Sequence, residues 1–204
     1  MTKHFLSGTP LEGLERQMMA APRPFRCRYT TANDTPVEQP KGRELAYWQL
    51  VKQAFPGQSH NALWQRVKEV SKGKDASQFL DKAHGRRMAD FCQELWKGMS
   101  GKPNSPWLSI VFLLTSSETL WSRARGCIHC YDVDFSHIML RSVSLQEYVL
   151  YQAARSIGCA HSCISATELS DRELVKDSTL SLIVDAAVIA RYGTVQFPDE
   201  KEAE

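Results

Sequence analysis

The sequence predicts an all-α protein, a compact bundle of about seven helices with a proline-rich N-terminal arm. Three observations lead to this fold class. Apolar residues recur three or four positions apart through most of the chain, the spacing of one face of an α-helix. Helix start and stop signals flank these segments. The alternation that is typical of strands appears only briefly, at residues 131–135. We therefore expect helices packed on helices.

The sequence also predicts two regions: residues 1–40, an N-terminal helix and proline-rich arm, and residues 41–204, a helical domain. A helix is expected to start at Thr9, because Pro10 suits the first helical position and Glu12 completes a capping box. Residues 22–40 contain four prolines and no apolar periodicity. This composition is typical of a linker or an extended arm.

The first three helices of the domain are predicted from their apolar faces. Pro56 follows the first helix, Gly73 marks the end of the second, and Ser77 is expected to start the third. The apolar positions are Tyr47, Trp48, Val51 and Phe55, then Leu63, Trp64, Val67 and Val70, and then Phe79, Leu80, Ala83, Met88, Phe91, Cys92, Leu95 and Trp96.

The next helices are predicted from an apolar run and two capping boxes. Residues 107–114 are apolar on nearly all sides, which predicts a buried helix. The boxes are residues 115–118, with Thr115 as the cap and Glu118 as its partner, and residues 144–147. Each box is expected to start a helix.

Two glycines are predicted to end the last two long helices. Gly158 stands at the position after the last turn of the helix that starts at 144, where a left-handed residue is usual. The final helix is expected to cover about residues 178–192 and to stop at Gly193. Its apolar positions follow the i, i+3, i+4, i+7, i+8 pattern: Leu180, Ile183, Val184, Ala187 and Val188.

Composition favours a soluble, cytoplasmic protein. Of the 204 residues, 43% are hydrophobic, which is enough for a core. No apolar run reaches the roughly 18 residues that span a bilayer, and the N-terminus lacks the order of a signal peptide. We therefore expect reduced cysteines, as is usual in the cytoplasm.

The net charge of +2 hides an asymmetry between the two halves of the chain. Residues 1–102 carry 17 Lys and Arg against 10 Asp and Glu, a net charge of +7, whereas residues 103–204 carry 8 against 13, a net charge of −5. A basic half favours a partner with an acidic surface, either a protein or nucleic acid. The alternative is a solvated surface whose charge is unevenly distributed.

A candidate zinc site is formed by two short cysteine motifs, each preceded by a glycine and containing a histidine. Four thiols at such spacings can complete a tetrahedral structural site, and His129 or His161 can replace one of them. Two alternatives stay open: buried core cysteines and a redox dithiol. The candidate ligands are Cys127, Cys130, Cys159 and Cys163.

Six basic residues are candidates for binding a partner. Three follow the predicted N-terminal helix, whose apolar face with a basic extension can dock in a partner groove, on a phosphate backbone or on its own core. In the third helix of the domain, a His and an Arg three residues apart can bind a phosphate or carboxylate; alternatively they cap a neighbouring helix or bond a backbone carbonyl. The six are Arg23, Arg26, Arg28, His84, Arg86 and Arg87.

An enzyme using Asp132, Asp134 or His84 is a further alternative. Paired carboxylates can act as acid and base or hold a metal, although a helix cap and a solvated charge also account for them. The chain lacks the common nucleotide-binding, hydrolase and metalloprotease motifs. Its five tryptophans occur one per predicted helix and indicate core packing more than a surface for stacking bases.

Three segments in order resemble a known family: residues 79–87, with His84 and Arg87 three apart, residues 112–121, and Tyr131-Asp132. The family consists of short, uncharacterised helical proteins carried by conjugative elements and phages of Gram-positive bacteria. The resemblance covers roughly residues 77–193 and does not include the four cysteines. It implies a mobile-element setting and no particular activity.

Three functional hypotheses follow. The first is a non-catalytic helical interaction protein, from a phage or mobile element, that binds a protein or nucleoprotein partner through its basic half, for example to inhibit a host defence nuclease. The second is a zinc-stabilised nucleic-acid-binding protein. The third is the enzyme described above.

Overall fold

The protein is all-α, as the sequence predicts. A computed structural model describes residues 46–55, 61–96, 104–129, 132–159 and 161–193. Within these residues the regular structure is helical, apart from one isolated antiparallel bridge between Ile128 and Val133. The helices are α1, Tyr47–Ala54; α2, Ala62–Val70; α3, Lys82–Trp96; α4, Ser105–Thr115; α5, Glu118–Ala124; α6, Leu145–Cys159; α7, Ala166–Ser170; and α8, Asp177–Tyr192.

The helix α4 is the centre of the fold. It packs chiefly against α6 and α8, and its ends also contact α3 and α5. From Val111 to Thr115 every residue is buried, as the apolar run predicts. A helix that is apolar on all sides must be surrounded by other elements, which places α4 in the core. The helices α1 and α2 contact α8, and α7 contacts α2.

Of the two predicted capping boxes, the one at residues 144–147 is present and the one at 115–118 is not. At α6, Ser144 N–H donates to Glu147 Oε2 at 2.6 Å and Glu147 N–H donates to Ser144 Oγ at 3.3 Å, so the predicted box is present. The predicted box at 115–118 is wrong. Ser117 caps α5, while the Thr115 hydroxyl donates back to Val111 O at 2.7 Å inside α4.

The third helix starts at Lys82, five residues later than predicted. The cause is Asp81, whose Oδ1 accepts a hydrogen bond from His84 N–H at 2.6 Å and so acts as the cap. Phe79 and Leu80 therefore precede the helix, and Leu80 is 52% exposed. Their helix-like spacing to the following apolar residues is a coincidence that the cap overrides.

The two glycines expected to end helices behave differently. Gly193 has a left-handed φ of 69° and its N–H donates to Ile189 O at 2.7 Å, so it ends α8 as predicted. Gly158 does not end α6, which continues to Cys159. A Cβ at Gly158 would lie 2.6 Å from Cε2 of Phe135. This glycine is required by close packing, not by backbone conformation.

The short helix α7 is not among the predicted helices. Five residues are too few to show an apolar face, but Ser165 and Glu168 form a complete capping box that marks its start. The predicted N-terminal helix at Thr9 and the proline-rich arm lie outside the described residues. No helix in the described ranges is long and apolar enough to cross a membrane.

Candidate functional site

His84 is fully buried and both of its ring nitrogens are used within the fold. Nδ1 accepts from Leu80 N–H at 3.1 Å, so Nε2 carries the proton and donates to Phe112 O at 2.8 Å. Burial is the largest influence on this ring and lowers its pKa to about 4. The imidazole is therefore neutral near pH 7.

Arg87 holds the end of α4. Its Nε donates to Thr115 O at 2.7 Å, Nη2 donates to Ser116 O at 3.3 Å, and Nη1 pairs with Glu118 at 3.3 Å. The last carbonyls of a helix lack partners within it and carry partial negative charge, so a guanidinium is favourable there. His84 and Arg87 thus make the contacts of the second alternative, bonding the backbone of a neighbouring helix. Arg86, between them, is exposed.

A second polar cluster connects α1, the segment before α3, and α8. Asp185 is 1% exposed in the middle of α8. Its Oδ2 accepts from Lys74 Nζ at 2.7 Å, its Oδ1 accepts from the Tyr47 hydroxyl, and Lys74 Nζ also donates to Ser181 Oγ at 2.5 Å. Burial raises the pKa of Asp185 and of Tyr47. The sequence signal that could have revealed this cluster is Asp185 itself, an acidic residue among the apolar residues of the last helix.

Some of the excess positive charge of the first half is neutralised by ion pairs with the second half. Three basic side chains of the first half pair with acidic side chains of the second half, so the halves are electrostatically complementary. One exposed pair has the opposite arrangement: its basic residue, Arg172, is in the second half and its acidic residue, Glu69, is in the first. The three pairs are Arg66 with Asp177 at 2.6 Å, Lys74 with Asp185 at 2.7 Å, and Arg87 with Glu118 at 3.3 Å.

Other basic residues of the first half are exposed and form no ion pair within the described ranges. They are Lys52, Lys68, Lys72, Lys82 and Arg86.

Two half-buried tryptophans, Trp48 on α1 and Trp64 on α2, lie on the same helices as two of these lysines. The ring centroids of Trp48 and Trp64 are 5.2 Å apart, with their planes tilted by 31°. Lys52 Nζ lies 5.6 Å from the centroid of the Trp48 ring. We name the Trp–Lys surface after its members: Trp48, Lys52, Trp64, Lys68 and Lys72. Trp107 and Trp121 are buried in the core as predicted, and Trp48 and Trp64 pack against that core while they stay partly exposed.

The cysteine motifs approach the same end of α6. Asp134 N–H donates to Cys127 O at 2.9 Å, so these two residues lie side by side. Phe135, the next residue, packs its ring against Gly158, beside Cys159. Cys163 N–H donates to Ser156 Oγ at 2.8 Å, which holds Cys163 near the last turn of α6.

Three of the four candidate zinc ligands, Cys127, Cys159 and Cys163, lie within the described residues. Cys130 lies outside the described residues. Within them, no group of three or more His, Cys, Asp or Glu side chains is arranged to hold a metal. The Sγ of Cys163 lies 3.4 Å from Nε2 of His161. Burial, and then Asp134, raise the pKa of the Cys127 thiol.

Asp132 and Asp134 bond to their own turn. Asp132 Oδ1 accepts from Val133 N–H at 2.8 Å, and Asp134 accepts from the Ser136 hydroxyl at 2.5 Å and contacts His137 Nδ1 at 2.7 Å. The bond from Ser136 is the main cause of the lowered pKa of Asp134. Neither carboxylate shares a described hydrogen-bond partner with His84. Arg23, Arg26 and Arg28 lie outside the described residues.

Comparisons of this chain with protein-family models, with curated proteins and with solved structures find no match.

Proposed function

We propose that this protein is a non-catalytic helical interaction protein whose partner, a protein or a nucleoprotein, presents an acidic surface. The observation that carries the proposal is the division of the basic side chains. Three of them neutralise acidic residues of the second half, whereas the exposed set on α1 to α3 has no such partner among the described residues. Exposed charge of one sign steers binding of the opposite charge.

The contacts of the other polar groups support a binding function over catalysis. The imidazole of His84 and the carboxylate of Asp185 have the strongly perturbed environments that often mark active sites. Both are bonded on all sides to groups of the fold itself. They therefore act as connections between helices in this proposal.

The resemblance to proteins of conjugative elements and phages gives the proposal its setting. In that setting the partner is a host or element-encoded nucleoprotein, and inhibition of a defence nuclease is one form that such binding takes.

The test compares two variants with the same change in net charge. In one, Lys68, Lys72, Lys82 and Arg86 are changed to Glu. In the control, four exposed basic residues of the second half are changed to Glu: Arg125, Arg141, Lys176 and Arg191. Each protein is eluted with salt from immobilised heparin, which serves as a general polyanion, and its folding is checked by circular dichroism.

We expect the wild type and the control to be retained and the first variant to elute at clearly lower salt. Equal elution of the two variants would show that only net charge matters and would contradict the proposal. Failure of the wild type to bind at 50 mM salt would also reject it, because electrostatic binding is strongest at low salt.

A second proposal is that zinc, bound by Cys127, Cys130, Cys159 and Cys163, stabilises the end of α6. It is supported by the packing of Phe135 on Gly158 and by the bond from Cys163 N–H to Ser156, which bring parts of both motifs to one region. A structural zinc ion would join the turn at 127–134 to α6 and hold the two together. Because bound thiols must lose their protons, the affinity should fall with falling pH.

Native mass spectrometry of protein purified without chelator tests this second proposal. We expect an excess mass of one zinc ion and its loss in a Cys159→Ser, Cys163→Ser double variant. A protein of bare mass that keeps its melting temperature in the presence of EDTA would contradict it.

A further inference from the structure

We infer that the Trp–Lys surface binds single-stranded nucleic acid. This inference rests on the proposed function and assigns it a location and a ligand class. The Trp–Lys surface combines two features that such proteins use together: aromatic rings on which bases stack, and lysines that contact the phosphate backbone.

The aromatic part is built by packing between two helices. Trp48 on α1 and Trp64 on α2 contact each other, with ring centroids 5.2 Å apart, and neither is fully buried. Other aromatic residues of the core, such as Trp107, are buried almost completely. The two tryptophans thus form a partly exposed aromatic surface at the edge of the core.

The charged part consists of three exposed lysines on α1, on α2 and in the turn after α2. Lys52 Nζ lies 5.6 Å from the Trp48 centroid, so a base that approaches this ring also meets an ammonium group. Lys68 follows Trp64 by four residues and shares its helix face. Lys72 lies in the turn that ends α2.

The acidic residue of α2 does not cancel this charge. Glu69 is next to Lys68 in sequence, but its carboxylate pairs with Arg172 in the segment before α8. The three lysines that belong to the Trp–Lys surface are exposed and form no ion pair among the described residues, so they give it positive charge. Arg66, the remaining cation of α2, is buried and bonded to Leu169 O, Val175 O and Asp177, so it does not contribute to the exposed charge.

The combination favours single strands over the other acidic partners. An acidic peptide would satisfy the lysines but offers no flat aromatic face to the tryptophans. A duplex presents phosphates while its bases are stacked inside. Single-stranded DNA or RNA presents both groups at once, and each stacked base adds to the affinity.

The experiment measures fluorescence anisotropy of a labelled 15-nucleotide oligo(dT), oligo(U) and oligo(dT)·oligo(dA) duplex with the full chain at 50 mM and 200 mM salt. The test variant is Lys68→Glu, Lys72→Glu. The matched control is Lys82→Glu, Arg86→Glu, which makes the same charge change on exposed residues of α3. Quenching of tryptophan fluorescence is recorded in the same titrations.

We expect the wild type to bind at least one of the two single strands, with quenching, and more tightly than the duplex. The affinity should fall steeply between the two salt concentrations. The test variant should bind roughly tenfold or more weakly than the control, since it loses phosphate contacts that the control retains.

Three results would overturn the inference. They are duplex binding as tight as single-strand binding, equal loss in the test and control variants, and no binding of either single strand at 50 mM salt. If the protein is still retained on heparin through its first half in the last case, the proposed function stands and only the nucleic-acid assignment fails. If heparin retention also fails, both fail.

Discussion

The core contains two polar connections that differ in kind. On one side of α4, the neutral imidazole of His84 lies between a backbone N–H and the carbonyl of Phe112. On the side of α8, the buried carboxylate of Asp185 accepts from Lys74 and Tyr47. The first connection is satisfied by backbone groups. The second is satisfied chiefly by side chains that are far apart in sequence, with a further bond from the backbone of Gln78.

This difference determines how each connection responds to mutation and to acid. Removal of a neutral group that bonds the backbone costs only its hydrogen bonds. Removal of the buried carboxylate leaves the partly buried Lys74 ammonium without its counter-ion. The folded-state pKa of His84 is lowered and that of Asp185 is raised. Since one group is a base and the other an acid, both shifts favour the neutral form, but their effects on stability have opposite signs as the pH falls.

The largest expected effect comes from Asp185→Ala. It leaves the Lys74 ammonium and the Tyr47 hydroxyl without the carboxylate, and we expect the free energy of unfolding to fall by about 3–5 kcal/mol, measured by urea denaturation at pH 7. The comparison variant replaces the whole cluster: Tyr47→Phe, Lys74→Met and Asp185→Leu.

The triple variant should be more stable than Asp185→Ala, because it removes the Lys74 ammonium and the Tyr47 hydroxyl together with the carboxylate that they bond. If it is equally unstable or worse, the cluster contributes more than the avoidance of an unpaired charge, and the distinction between the two connections would need revision.

Acid should weaken the His84 connection. The unfolded chain binds a proton at His84 near pH 6.5, whereas the folded protein does so only near pH 4. Stability from this group is therefore complete above pH 6.5 and is lost as the pH falls toward 4, by about 3 kcal/mol. The raised pKa of Asp185 acts in the opposite direction over the range just above its unfolded value.

Urea denaturation of the wild type and of His84→Gln at pH 7, 6, 5 and 4 measures this effect. The glutamine keeps a donor and an acceptor but does not titrate, so the difference between the two proteins should shrink as the pH falls. Asp185→Asn is the control and should retain the loss between pH 6.5 and 4. Parallel pH profiles of wild type and His84→Gln would be inconsistent with a buried neutral imidazole.

The smallest expected effect is the difference in stability between substitutions of two neighbouring arginines on α3. Arg87→Met removes the bonds to Thr115 O and Ser116 O at the end of α4 and should cost about 1–2 kcal/mol. Arg86→Met changes an exposed residue and should stay within about 0.5 kcal/mol. Thermal unfolding of the two variants measures both. Equal costs would show that the bonds of Arg87 add nothing beyond an exposed charge.

The helices could be predicted where the signal is local. The apolar run at 107–114, the box of Ser144 with Glu147, and the stop at Gly193 depend only on residues a few positions apart. Predictions failed where two local signals competed, as at Ser77 and Asp81, or where a contact was distant. Gly158 has the sequence signature of a helix stop, yet the ring of Phe135 explains it.

The candidate site shows the same limit. His84 and Arg87 were recognisable as a polar pair on one helix face, but the sequence left open whether they bind a partner or a neighbouring helix. Their acceptors, Phe112 O and Thr115 O, are 28 residues away and are known only from the packing of α3 on α4.

By itself, the sequence determined the helical class, the approximate place of the long helices and the uneven charge, because periodicity and composition are properties of neighbouring residues. Only the tertiary structure decided which basic residues form ion pairs and which remain exposed. Tyr47 and Asp185 are 138 residues apart, and Arg66 and Asp177 are 111 apart. Such pairs form when helices pack, since burial then requires each polar group to find a partner, and the lysines that remain exposed are those that packing left unpaired.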